Sequence, residues 1–240
     1  MRKIILLIIL IISCKGFSQS TNGMSGLIHI PSARMLDDGQ LVLGVAYIPK
    51  PYFFGTGGIN RNKFINPGLN TYITYGILPF IEVMFRYTHE LNMPVNNSTR
   101  YFPDRMLGLR IRLFKEKIFL PAIVLGLQDA SAILGDTCLA CTNYSATYFV
   151  GSKNFKTEFG DFDLSLGYAF DFLELKSKDY EGVFGGISFN PNFYKSASIL
   201  FEHNSKGINT GISTIVLSRF SLMLGLWNLD KPTFSFNYLF

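Results

Sequence analysis

Three histidines, one cysteine pair and a set of charges spaced two apart are the residues of this 240-residue chain that could do chemistry. A hydrolase would need a serine beside His29, His89 or His203, yet no Gly-x-Ser-x-Gly marks an elbow nucleophile. Cys138 and Cys141 form a Cys-x-x-Cys pair beside Gly135-Asp136-Thr137 and Thr142-Asn143. The pair lacks further ligands for a zinc site and the βαβ setting of a redox motif, so it reads as a local disulfide clipping a loop. No catalytic residue, metal or cofactor is assigned.

The charges are more informative. Glu82, Arg86, Arg110, Arg112, Asp163 and Glu202 alternate with apolar neighbours, while Gln128, Asp129 and Lys153 read as strand-end residues flanking one long loop. If the alternation is that of strands, these residues face a common interior. They then serve either as a mutually paired filling or as a polar track for a hydrophilic solute or glycan. The paired filling is the reading preferred.

The elements that must position them are strands. Residues 81–89 place apolar or aromatic side chains at odd positions and Glu82, Arg86 and Thr88 at even ones. Residues 105–113 set Leu107, Leu109, Ile111 and Leu113 against Gly108, Arg110 and Arg112, and residues 163–170 repeat the pattern. His89 and His203 fall on the apolar faces of their strands, near the ends, where interface residues sit. The alternation predicts about twelve strands, with ten or fourteen as alternatives. They cover 41–49, 69–76, 81–89, 105–114, 119–128, 146–153, 162–171, 182–190, 197–204, 208–217, 220–228 and 233–240. Lengths of eight to ten suit a tilted strand crossing a bilayer, which needs about 9–11 residues.

Connections alternate in length. Residues 50–68, 90–104, 129–145 and 172–181 are long, and 77–80, 115–118, 154–161 and 191–196 shorter. The fold expected is therefore an all-β, transmembrane, antiparallel up-and-down barrel with short periplasmic turns and longer outer loops. Aromatic residues make up 15% of the chain, 23 Phe and 12 Tyr among them, which favours strands and membrane interfaces. Phe234, Phe236, Tyr238 and Phe240 alternate to the last residue. That ending resembles the terminal strand by which outer-membrane barrels are recognised for assembly, so Phe236, Tyr238 and Phe240 are taken as an assembly signature. The barrel-assembly machinery and outer-membrane lipid are the partners it implies. Tyr52, Phe53, Phe54, Tyr101 and Phe102 stand in outer loops, where they could stack on sugars.

Upstream lie two further segments. Residues 1–18 read as a signal peptide, with Arg2 and Lys3 before the apolar run Ile4 to Ile12 and small residues ahead of Gln19. Ile11-Ile12-Ser13-Cys14 also resembles a relaxed lipobox, which would make Cys14 a lipidated terminus; ordinary cleavage is preferred, and either route exports the chain to a Gram-negative envelope. Without residues 1–18 the chain keeps 19 basic and 17 acidic residues, too even a balance for a nucleic-acid partner. Residues 19–40, broken by Gly23, Gly26, Pro31 and Gly39, do not fit a barrel wall and read as a plug or a periplasmic cap before the barrel of residues 41–240.

One family resemblance follows. Gly26-Leu27-Ile28-His29-Ile30-Pro31-Ser32-Ala33-Arg34, followed by Asp38-Gly39, resembles the start of YjbH-like proteins. Similar stretches are Pro121 to Asp129 with Tyr148 to Lys153, and Gly182 to Ile187 with Phe201-Glu202-His203. The chain departs from the family pattern at Thr147, Ser188 and His203-Asn204. The resemblance implies an outer-membrane barrel linked to exopolysaccharide production, with Pro31 and Arg34 as motif residues and polysaccharide or pathway proteins as partners. A non-catalytic role in export or assembly is the expectation; a small-solute channel is the alternative, and a lipid-acting barrel enzyme a distant third.

Overall fold

The computed structural model describes residues 18–50, 52, 66–91, 104–129, 144–171 and 179–240. It contains twelve strands: β1 (Leu41–Ile48), β2 (Gly68–Leu78), β3 (Ile81–Glu90), β4 (Asp104–Phe114), β5 (Ala122–Gln128), β6 (Ala146–Lys156), β7 (Gly160–Phe170), β8 (Gly182–Pro191), β9 (Ala197–His203), β10 (Ile208–Val216), β11 (Phe220–Trp227) and β12 (Lys231–Leu239). Each pairs antiparallel with its sequence neighbours, and β1 pairs with β12 to close the barrel. Closure removes the open sheet edges, so the hydrogen-bond ladder runs around the whole wall. The all-β, twelve-stranded expectation holds.

Strand ends shift from the expectation by up to three residues, most clearly at two places. β5 starts at Ala122, not at residue 119, because Pro121 has no N–H to give the ladder and residues 118–120 bend. The connection expected at 154–161 shrinks to residues 157–159, with β6 and β7 extended to a tight turn closed by Thr157 N donating to Gly160 O at 2.9 Å.

The alternation sorts side chains as strands must. Outward stand Phe85, Leu107, Leu164, Leu166, Phe201 and Leu224, the most open being Leu166 at 62%. Inward stand Glu82, Arg86, Arg110, Glu202, Asn209 and Asn237, all buried. A wall greasy outside and polar inside is the inverse of a soluble core, and it suits lipid around a polar lumen.

Aromatic rings line that lumen where the facing strand has glycine. Tyr72 lies across from Gly44, Tyr148 across from Gly126 and Phe184 across from Gly167. A Cβ on Gly126 would sit 2.1 Å from Tyr148 Cζ, so each glycine leaves the space its cross-strand ring fills.

Residues 18–36 occupy the lumen, nearly all of them buried. The segment folds on itself through Gly26 N to Ser18 O (2.9 Å), Thr21 N to Ile28 O (2.7 Å) and Leu27 N to Ile30 O (3.0 Å). Gly23 takes a φ of 90°, a left-handed turn that a side chain would strain. The chain thus reaches toward the long-loop end twice, at Asn22 and at His29, before returning to join β1 at the short-turn end. Its exit is pinned at β2, where Gly39 N donates to Gly76 O and Gly76 N to Gln40 O.

Candidate functional site: a lumen latched by buried charge

The wall holds the inner segment with carboxylates and guanidiniums on inward positions. On β3, Glu82 accepts from Ser25 Oγ at 2.8 Å, Leu36 N at 2.9 Å and Arg110 Nη1 of β4 at 2.8 Å. Arg110 also donates to the carbonyls of Ser25, Ser32 and Arg34, so one guanidinium ties two stretches of the segment to the wall. From β9, Glu202 accepts from the backbone N–H groups of Ile28, His29 and Ile30 and from Asn209 Nδ2 at 2.7 Å. Three consecutive amides thus converge on one buried carboxylate.

A second cluster lies toward the long loops. Arg86 of β3 donates to Asn22 Oδ1 at 2.7 Å, stands 3.4 Å from Asp104 of β4 and covers the Tyr144 ring at 4.2 Å. Asn22 Nδ2 donates to Asp179 at 2.7 Å, and Gln128 Nε2 donates to the same carboxylate at 2.6 Å. His29 Nε2 lies 2.8 Å from Asp179; the carboxylate can only accept, so the ring nitrogen donates. Burial pushes the Asp179 carboxyl up, but the His29 ring, Arg86 and Gln128 together hold it below the usual carboxylate range. Trp227, the only tryptophan, packs on His29 at 4.4 Å and stacks on Tyr52 at 5.4 Å. Tyr52 is thereby engaged in the mouth, where the sequence offered it as a sugar platform.

Thr21 Oγ1, His29 and Asp179 form a line that could suggest a relay, with Thr21 3.4 Å from His29 Nδ1. All three residues are at most 3% exposed, and both His29 and Thr21 belong to the latched segment. The line clamps the segment to the wall and offers no approach to a substrate.

The other sequence-derived positions fall as follows. Asp163 faces inward and pairs with Arg34 at 2.6 Å, and Arg34 also reaches Glu116 at 2.6 Å. Arg112 is inward near the short-turn end and donates to Pro79 O at 2.8 Å. Asp129 is buried just past β5, at a φ of 58°. Pro31 bridges back to Gly26 within the inner segment.

Lys153 requires a correction: it shares the outward parity of Phe149 and Phe155, and it stands at the short-turn end of β6, away from the long loop after β5. Its flexible stem lets the ammonium fold back to Glu116 at 3.3 Å and to the carbonyls of Lys117 and Ile118. Phe236 and Tyr238 are on the outward parity of β12, and Phe240, just past its end, is exposed. Cys14, Cys138, Cys141, Phe53, Phe54, Tyr101 and Phe102 lie outside the described residues.

Sequence reasoning did not single out Asn22, Asp104, Glu116, Asp179 or Trp227. Only Trp227 carried a signal, as a lone indole beside a turn; Asp104 is the first residue of β4, just outside the expected strand, and the others lie in connections or the inner segment, where alternation has nothing to say.

Closed wall, polar lumen and internal segment together define a self-plugged β-barrel. Residues 18–187 match the YjbH family, described as exopolysaccharide biosynthesis protein YbjH, and the chain belongs to that family. It is also similar to the uncharacterized lipoprotein YjbH of Escherichia coli (strain K12), 26% identical over 195 residues. That match covers 79% of this chain and 22% of the relative, so the chain spans about a fifth of the relative's length.

Proposed function

We propose that this protein is an outer-membrane barrel supporting export or assembly of cell-surface exopolysaccharide, and that it catalyses no reaction itself. The observation that carries this reading is the lumen filled by residues 18–36 inside a wall whose outer face is apolar. Side chains such as Leu166, Leu224 and Phe201 would be costly in water along a whole sheet face, whereas lipid welcomes them. A lumen crossed by buried ion pairs opposes free diffusion of solutes, which separates this reading from a general channel. The family description supplies the pathway.

Orientation follows from the short turns and both barrel termini sharing one end, which is assigned to the periplasm. Export occurs through the leading segment; the relative's name as a lipoprotein supports keeping Cys14 lipidation beside ordinary cleavage before Gln19. The test is gene deletion with two readouts, surface polysaccharide and outer-membrane permeability to a small hydrophilic antibiotic. Polysaccharide is expected to fall while permeability stays level. Unchanged polysaccharide with lowered permeability would replace this reading with the channel.

A further inference from the structure

The short-turn mouth holds a vestibule of about 1100 Å³ between the inner segment and the wall of β6 to β9. Its lining carries five cations, Arg34, Lys117, Lys153, Lys156 and Lys195, against three carboxylates, Glu116, Asp161 and Asp163. Arg34 and Lys153 are committed, the first to Asp163 and Glu116, the second to Glu116. Lys117, Lys156 and Lys195 make no ion pair among the described residues and are exposed. They come from three separate places, the β4–β5 connection, the end of β6 and the β8–β9 connection. The lining also carries a strip of small polar groups, Ser188 and Asn190 of β8 and Ser198 of β9, on inward positions. Asn190 Nδ2 already donates to Ser198 Oγ at 2.6 Å, which fixes the amide and leaves the strip ordered.

We infer that this vestibule binds an acidic saccharide segment, its carboxylates met by Lys117, Lys156 and Lys195 and its hydroxyls by the Ser188–Asn190–Ser198 strip. The choice of a saccharide rests on the exopolysaccharide reading above; the surplus of cations and the hydroxyl-lined wall come from the geometry alone. The space exceeds that of a single small anion, and three cations from different hairpins suit a ligand carrying charge at intervals. Inorganic phosphate is the probe that separates a phospholipid headgroup, the other carrier of negative charge at a membrane, from a saccharide. Arg34 gives the inner segment a share in the site, since it is held in the lining by the same ion pairs that tether the segment to the wall.

The experiment uses the full chain purified in lipid nanodiscs and titrated calorimetrically at low salt. The probes are tetragalacturonate, neutral maltotetraose and inorganic phosphate. The expected result is tetragalacturonate binding that weakens with added salt. It should also weaken roughly tenfold in the Lys117→Gln/Lys156→Gln/Lys195→Gln variant, as expected for three exposed charge contacts. Lys206→Gln, at the opposite mouth, should leave affinity unchanged. Equal binding of maltotetraose, equal binding of phosphate alone, no binding, or indifference to the triple substitution would each overturn the proposal. These lysines are exposed, so heat-modifiable mobility of the variant should match that of the parent. The pathway reading is tested separately by the gene deletion: binding without a polysaccharide phenotype sinks the pathway, and a phenotype without binding sinks the site.

Discussion

Arg110 is the residue on which the inner segment depends most. Its guanidinium meets Glu82 and three backbone carbonyls in a space it shares with no solvent. Removing one partner of a buried pair costs about 3–5 kcal/mol, because the other charge is left uncompensated. Arg110→Met should therefore lower stability by about that amount, and Glu82→Gln similarly. The double variant should lose clearly less than the sum, as measured by urea unfolding in lipid vesicles; additive losses would mean the two do not act as a pair. Alternation placed Arg110 inward among paired charges; that three of its partners are carbonyls of the inner segment came only from the structure.

Asp179 adds a pH dependence at the same scale. Despite burial, His29, Arg86 and Gln128 hold its folded-state carboxyl below the ordinary range. A depressed folded value contributes stability at pH above the unfolded value, and that stability is lost as pH falls through the folded one. The latch should thus stay closed at pH 7 and at pH 5 and loosen only below about pH 4, the ordinary aspartate value. Limited proteolysis of the inner segment across pH 3–7 checks this. Asp179→Asn should flatten the acid limb, and an unchanged limb would assign the acid sensitivity to other carboxylates.

At the scale of elements, the β1–β12 seam decides whether the sheet is a barrel. Tyr72 Oη donates to Asn237 Oδ1 at 2.7 Å across Gly44, and a Cβ on Gly44 would sit 2.2 Å from both Tyr72 Cε2 and Asn237 Oδ1. Gly44→Val should break that contact and cost about 1–3 kcal/mol through overpacking. Reduced heat-modifiable mobility on gels would report it. Gly151→Ala is the control, since its nearest neighbours would stand at 3.8 and 3.9 Å, and it should behave as the parent. The last residue closes the same seam, Phe240 N donating to Leu41 O at 2.9 Å while its ring faces outward. Phe240→Ser should lower the quantity of folded barrel in the membrane if the terminal aromatic is read during assembly. Equal quantities would confine Phe240 to a packing role.

Hairpin turns were less legible than strands. Leu217-Ser218 and Asn228-Leu229 both take positive φ at two successive residues, as type I′ turns require. Neither pair contains glycine, so the usual sequence mark of such a turn is missing. The tight closure of the flanking ladders holds the strained residues in place.

For the whole molecule, the claim at stake is which face meets lipid. Leu109 and Arg110 are neighbours in β4, the first outward beside Val83 and Leu127, the second inward. A cation at the midplane of a barrel's outer face costs about 2–4 kcal/mol. Leu109→Arg should therefore depress insertion into vesicles, while Arg110→Met should insert and then show a loosened inner segment. A soluble, fully folded Leu109→Arg protein would remove the membrane from the account. Conductance gives an independent reading: the parent barrel in planar bilayers should be nearly silent, and Glu82→Gln/Glu202→Gln should open intermittently. Steady open conductance in the parent would contradict a lumen closed by residues 18–36.

Strand number, strand parity and the polarity of each face were legible in the sequence by itself, because a strand sends successive side chains to opposite sides whatever its partners are. Glu82, Arg86, Arg110 and Glu202 could be placed inward for that reason alone. Lys153 was expected inward against that rule: its Cα shares the outward parity of Phe149 and Phe155, and only its long stem carries the ammonium back to Glu116. The sequence also set residues 19–40 apart from the wall, by glycine and proline at spacings no strand tolerates. Which wall carboxylate receives which amide was decided only by the tertiary structure: Glu202 meets Ile28 across 174 positions and Asp179 meets His29 across 150. Such contacts follow from barrel closure and from the depth at which the inner segment comes to rest, neither of which is a property of any local stretch of chain.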